Sequence, residues 1–328
     1  MTSPQQLDKI KDEHFDKFEI LNMDYKTVKG HGIRADVLTP KSICSGPRPI
    51  ITYFHGGGLV FGDSLYFPWF PLWVLQLALD QSAVIVCGNH RLLPESTGVE
   101  ILEDIDDFWG WLRSKDTANW LASHYVQLDL RRILTTGDSA GGFLNIYLAL
   151  TYPDQIRVSI ASYPMLNQEP LPVGDGKEPS PTKKLTDYCK TRIKTGNVVS
   201  SDTTWERNGI FGDMIKEGMI PQLFSRDGSA SSTHKYHLYQ LKRLEHPTIY
   251  LPPGGLVILH GDNDPVVPWA CSDAFVWSAK TKLQNNRGAD RIRLITLKGG
   301  GHGYGTKEPS EAKSIRDAIK GDVVAWLK

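Results

Sequence analysis

Short apolar runs separated by longer mixed stretches dominate the chain. The runs at 49–54, 83–87, 158–161, 256–259 and 292–297 are mostly Ile, Val and Leu, and several end in glycine. Runs of that length read as strands buried on both faces. Two further strands are expected at the start, at 18–21 and 33–38. Helical spacing appears between them: Phe143, Leu144, Ile146, Tyr147 and Leu148 follow one strand directly. Near the end, Ile315, Ala318, Ile319, Val323 and Trp326 fall on one face of a helix from about 310 to 327. Strands alternating with helices predict an α/β fold, with a mostly parallel central sheet covered by helices on both faces. Ligands of such sheets bind beyond the carboxyl ends of the strands.

Several of those strand ends carry candidate chemistry. Gly137-Asp138-Ser139-Ala140-Gly141-Gly142 stands between an apolar run and a helix, so Ser139 falls on a sharp strand-to-helix turn. A serine that merely caps the helix is the structural alternative. His55-Gly56-Gly57-Gly58 ends the strand at 49–54, and three glycines in a row cost backbone entropy that needs a reason. A flexible turn is one reason; a backbone that approaches a substrate oxygen is the other. A serine hydroxyl is a weak nucleophile near neutrality and needs a base, which in turn needs an orienting acid. Both are available late in the chain. The strand at 256–259 runs into His260, Asp262 and Asp264, and the strand at 292–297 into His302, flanked by Gly299, Gly300, Gly301 and Gly303. His302 is the expected base, because glycines on both sides favour an exposed loop. His260 is expected to hold the acid loop and His55 to brace the glycine loop. Asp262 and Asp264 both remain candidates for the acid.

These segments together resemble the serine hydrolases of the α/β-hydrolase fold, especially the hormone-sensitive-lipase-like esterases. The resemblance rests on His55-Gly56-Gly57-Gly58, on His90-Arg91-Leu92-Leu93-Pro94-Glu95 and on the hexapeptide around Ser139. The stretch at 102–112 is similar to the family's amphipathic helix. The resemblance covers about 49–164 and resumes from about 255. His90 stands where the family commonly has Tyr, and the acid loop is closer to prolyl-oligopeptidase-type hydrolases. The resemblance implies a triad of Ser139, Asp264 and His302, with Asp262 left as a turn residue. It also implies an oxyanion hole made by the N–H groups of Gly57, Gly58 and Ala140. The activity implied is cleavage of a carboxylic ester through an acyl-enzyme, with no cofactor or metal. An acyltransferase, thioesterase or cyclase would use the same three residues, and a non-catalytic ligand receptor would share only the fold.

Composition narrows the partners. Lys plus Arg and Asp plus Glu number 37 each, so no excess of basic charge points to nucleic acid. No apolar stretch reaches membrane-spanning length, and the mixed charges of Lys9, Lys11, Asp12, Glu13, His14, Asp16 and Lys17 are unlike a signal peptide. Four scattered cysteines, Cys44, Cys87, Cys189 and Cys271, have no metal-like spacing and fit a reducing, cytoplasmic setting. At 328 residues, a single domain of this class is expected. Residues from about 165 to 253 are irregular. They begin with Pro170, Pro172, Gly174, Gly176, Pro179 and Pro181, and are expected to form a cap or lid over the site, with Met214, Met219, Leu223 and Phe224 lining a pocket or equally forming the cap's own core. Phe61, Tyr66, Phe67 and Trp69, close to the glycine loop, are expected to line a pocket for an apolar or aromatic small-molecule ester.

Overall fold

A computed structural model describes residues 15–42, 46–166, 181–226 and 236–328. The glycines and prolines expected at 170–179, the N-terminal charges from Lys9 to His14, and Cys44 lie outside the described residues. Eight strands form one sheet in the order β1-β2-β4-β3-β5-β6-β7-β8. β1 (Phe18–Val28) and β2 (His31–Pro40) are antiparallel at one edge. The other six run parallel: β3 (Arg48–Phe54), β4 (Val84–Gly88), β5 (Leu128–Asp138), β6 (Val158–Ser162), β7 (Leu256–Gly261) and β8 (Arg293–Leu297).

Alternation along the strands builds a core on each face. Ile50 and Phe54 of β3, with Val84 and Val86 of β4, pack on one side with Phe108 and Phe143. Ile51 and Tyr53, with Ile85 and Cys87, pack on the other with Trp73 and Trp326. Every residue of β3, β4, β6 and β7 is buried, as the apolar runs required. Edge strand β8 is the exception, with only Leu297 buried.

Strand register decides where the loops emerge. Phe54 pairs with Gly137, Asp138 with Ser162, Ser162 with Leu259, and Gly261 with Leu297. The glycine loop, the Ser139 turn, the acid loop and the His302 loop therefore leave the same edge side by side.

One expectation needs correction, and one open choice is decided. The single closing helix is two, Pro309–Ala318 and Lys320–Leu327, broken at Ile319, which departs from helical geometry (φ −101°, ψ 9°) just ahead of Gly321, a poor helix former. Met214, Met219, Leu223 and Phe224 do not face a substrate cavity. All four are buried in the core on the Phe108 side; Phe224 stacks edge-on against Phe143 at 5.5 Å and crowds Gly98. Helices Asn208–Lys216 and Met219–Ser225 thus extend the core, because the surface of helix Gly98–Leu112 offers apolar residues at helical spacing to cover.

Candidate active site

Ser139 is not a helix cap. It precedes helix Ala140–Thr151, but its side chain makes no capping bond, and its backbone sits at φ 54° and ψ −115°. That conformation costs on the order of 1–3 kcal/mol for a residue with a Cβ. Three backbone hydrogen bonds hold it: Ser139 N–H donates to Ser162 O at 2.9 Å, while Phe143 N–H and Met165 N–H donate to Ser139 O at 3.1 and 2.9 Å. The turn is possible only because its glycines lack side chains. A Cβ on Gly137 would lie 2.3 Å from Gly141 O, and one on Gly141 would lie 2.0 Å from Phe54 O. The first-turn N–H groups, Ala140's included, have no intrahelical carbonyl to bond and are free to meet negative charge.

Gly57 and Gly58 lie beside this turn with φ of +103° and +61°. A Cβ on Gly57 would meet Phe61 O at 2.0 Å, and one on Gly58 would meet the Phe211 ring at 2.0 Å. The loop is braced from beneath by His55, whose Nδ1–H donates to Gly56 O at 2.7 Å and whose ring stacks on His90 at 4.8 Å. Burial pushes the pKa of both imidazoles down, that of His90 to about 3, so both rings are neutral at physiological pH. From above, the insertion straps the loop in place. Asp202 N–H donates to Gly62 O at 2.8 Å, and Arg207 Nη1 donates to Val60 O and Leu93 O. Arg207 also pairs with the buried Glu95 carboxylate at 2.6 Å.

The two late loops meet. His302 Nδ1 lies 2.8 Å from Asp264 Oδ2, and a carboxylate there requires Nδ1 to donate, which leaves Nε2 as the basic nitrogen of the neutral ring. Burial alone would raise the Asp264 pKa. Hydrogen bonds from His260 and His302, with that from Val267 N–H, outweigh it and hold the carboxyl well below the usual carboxylate range. His260 is fully buried; its Nε2 donates to Val267 O at 2.9 Å, and its Nδ1 meets Ser272 Oγ at 2.7 Å, so it fixes the acid loop. Asp262 turns elsewhere, accepting from Gly299 N–H at 2.6 Å.

Ser139 and His302 line one cavity of about 360 Å³, together with Gly57 and Trp69. Of the four aromatics expected to line it, Trp69 alone does so. Phe61 is buried under Trp69, Trp205 and Phe211; Tyr66 packs against Trp69 and Trp205; Phe67 joins the core on the Trp73 side. Phe61 and Tyr66 thus brace Trp69 from behind instead of facing a ligand. Among the described residues, none from the insertion lines the cavity.

Residues 51–197 match a family described as having the α/β hydrolase fold. A probable carboxylesterase of Phoma sp. is 31% identical over 281 residues, covering 80% of this chain and 83% of that one. The chain belongs to the α/β-hydrolase fold carboxylesterases. A non-reducing polyketide synthase of Preussia isomera is 23% identical over 332 residues, which span 93% of this chain and 14% of that protein. Among solved structures, the phosphonate-inhibited esterase B of Lactobacillus rhamnosis shares the fold. It superposes with a TM-score of 0.61 at 15% identity, over 98% of this chain and 93% of that one.

In this ester-cleaving serine hydrolase the cavity walls include residues that motif reading missed. Tyr163, Thr306, Lys307 and Glu311 line the cavity. Tyr163 immediately follows β6 and packs against the His302 ring at 4.6 Å, so the strand-end rule was signal enough to find it. Glu311 accepts from Gly305 N–H at 2.9 Å and ties the His302 loop to the first closing helix. Nothing in the local sequence marks that contact. No helix among the described residues is long and apolar enough to cross a membrane.

Proposed function

We propose that this carboxylesterase hydrolyses neutral small-molecule esters with Ser139 as nucleophile, His302 as general base and then acid, and Asp264 as the carboxylate that orients the imidazole. The observation that carries the assignment is the Asp264–His302 hydrogen bond at 2.8 Å beside the cavity that His302 shares with Ser139. Ser139 Oγ attacks the ester carbonyl as His302 Nε2 takes its proton. The N–H groups of Gly57, Gly58 and Ala140 stabilise the oxyanion; each such donor is typically worth about 10²–10³ in rate. His302 then protonates the departing alcohol, and water, deprotonated by the same nitrogen, releases the acid. The cavity is near the small end of ligand pockets, and Trp69 and Tyr163 give it aromatic walls, which supports a compact acyl group. Wild type should hydrolyse p-nitrophenyl butanoate and react with a fluorophosphonate probe. Ser139→Ala should lose both while keeping its circular dichroism spectrum; undiminished labelling of that variant would place the nucleophile elsewhere.

The similarity to a stretch of a polyketide synthase favours a second reading, in which the acyl group arrives as a thioester and leaves to a nucleophile other than water. Product analysis with an acyl thioester, with and without an added amine or alcohol, distinguishes the two. Buried free thiols at Cys87 and Cys189 support a reducing compartment such as the cytoplasm.

A further inference from the structure

At the far edge of the sheet from Ser139, the starts of β5 and β6 and the end of helix Gly98–Leu112 enclose a pocket of about 680 Å³ that ester cleavage does not use. With strands rising about 3.3 Å per residue, Arg132 lies on the order of 20 Å along β5 from the nucleophile. The pocket walls carry Arg113, Arg131, Arg132 and Arg157 against Asp129 and Asp154, a local excess of positive charge in a chain whose charges balance overall.

The two acidic residues on those walls are already engaged. Asp129 binds Arg132 at 2.8 Å and Arg131 at 3.3 Å, and Asp154 binds Arg287 at 2.7 Å. Arg113 and Arg157 have no carboxylate partner among the described ion pairs. Each also has a buried guanidinium nitrogen without a hydrogen-bond partner, Nη1 of Arg113 and Nε of Arg157. These two nitrogens are closed to solvent, so a ligand would meet the other guanidinium nitrogens of the two side chains, which line the pocket without a carboxylate partner. Burial lowers the Arg113 pKa, and its guanidinium lies over the Trp109 ring at 5.8 Å. Guanidinium forks match the oxygens of a phosphate group, and the pocket is concave, which fits a small molecule better than a flat polymer surface.

We propose that this pocket binds a small soluble phosphate compound carrying at least two negative charges, with Arg113 and Arg157 as its main ligands and Arg132 at the rim. The test uses the full-length protein and pyrophosphate in about 0.1 M sodium chloride, where surface charge is screened beyond roughly 10 Å. Calorimetry should show saturable binding with one pyrophosphate per chain. An Arg113→Gln, Arg157→Gln double variant should bind at least about tenfold more weakly, the loss expected for hydrogen bonds to a charged group. Its hydrolysis of p-nitrophenyl butanoate should not change. If the double variant does not fold, Arg157→Lys, which keeps the charge but loses the fork, should still weaken binding measurably. Equal affinity in any of these variants, or heat that tracks ionic strength without saturating, overturns the proposal. So does co-sedimentation with phosphatidic acid vesicles in the absence of pyrophosphate binding, which would make the patch a membrane contact.

Discussion

Asp262 and Asp264 stand two positions apart on one loop, and the fold sends their carboxylates in different directions. Asp264 faces His302 and is held ionised by two histidines; Asp262 caps the backbone at Gly299. Asp264→Asn should therefore lower kcat by orders of magnitude with little change in KM, because the imidazole loses its orientation and the imidazolium its countercharge. Asp262→Asn should stay within a few-fold of wild type; steady-state kinetics on both variants checks the assignment, and reversed results would move the acid. Ser139 and His302 stood out in the sequence as candidates because each sits in a glycine-rich strand end, whereas only the resemblance separated Asp264 from Asp262. Phe61, Tyr66 and Phe67 were not. The sequence shows that aromatic residues are close in the chain, but only packing shows that Phe61 and Tyr66 pack on Trp69 and Trp205, that Phe67 joins the core, and that Trp69 is left to face the cavity.

At the level of elements, the strap over the glycine loop is the feature that periodicity could not supply. Arg207, Asp202 and Ser201 reach back to Val60, Gly62 and Asp63, contacts between segments more than a hundred residues apart. The alternation of strands and helices was readable because each element announces its own period. The role of the insertion was not, since its apolar residues serve a core or a pocket equally well on sequence grounds. Arg207→Ala strips a partner from the Glu95 carboxylate, whose side chain is fully buried, and frees the carbonyls of Val60 and Leu93. Breaking such a pair typically costs about 3–5 kcal/mol. Arg192 also contacts Glu95 and should soften the loss to about 2–3 kcal/mol, read as a shift of the urea unfolding midpoint. Catalysis should fall as well, because Gly57 and Gly58, two of the proposed oxyanion donors, are mounted on the loop that this arginine holds.

Across the whole molecule, buried ionisable groups set two opposing pH dependences of stability. Burial pushes the Asp138 carboxyl up to about 7, whereas in the unfolded chain it titrates near 4. The folded state therefore holds an extra proton between these values, and the contribution of Asp138 fades as pH rises through about 7. Burial, reinforced by neighbouring His55, lowers His90 to about 3, against roughly 6.5 unfolded. Its contribution is complete above about 6.5 and is lost as pH falls from there towards 3. Asp138→Asn, which keeps the shape and stays neutral, should be more stable than wild type at pH 8 and lose that advantage by about pH 4. Denaturant midpoints across that range check the sign; an advantage that grew on acidification would contradict it.

The edge position of β8 has a consequence for heat. Among the described residues the strand has a single neighbour, β7, and of its five residues only Leu297 is buried, yet it delivers the loop that bears His302. Margins of a sheet fray at lower cost than its centre. On warming, esterase activity should vanish reversibly several degrees before the far-ultraviolet signal moves. The protein should thus fall silent while nearly all of its architecture still stands.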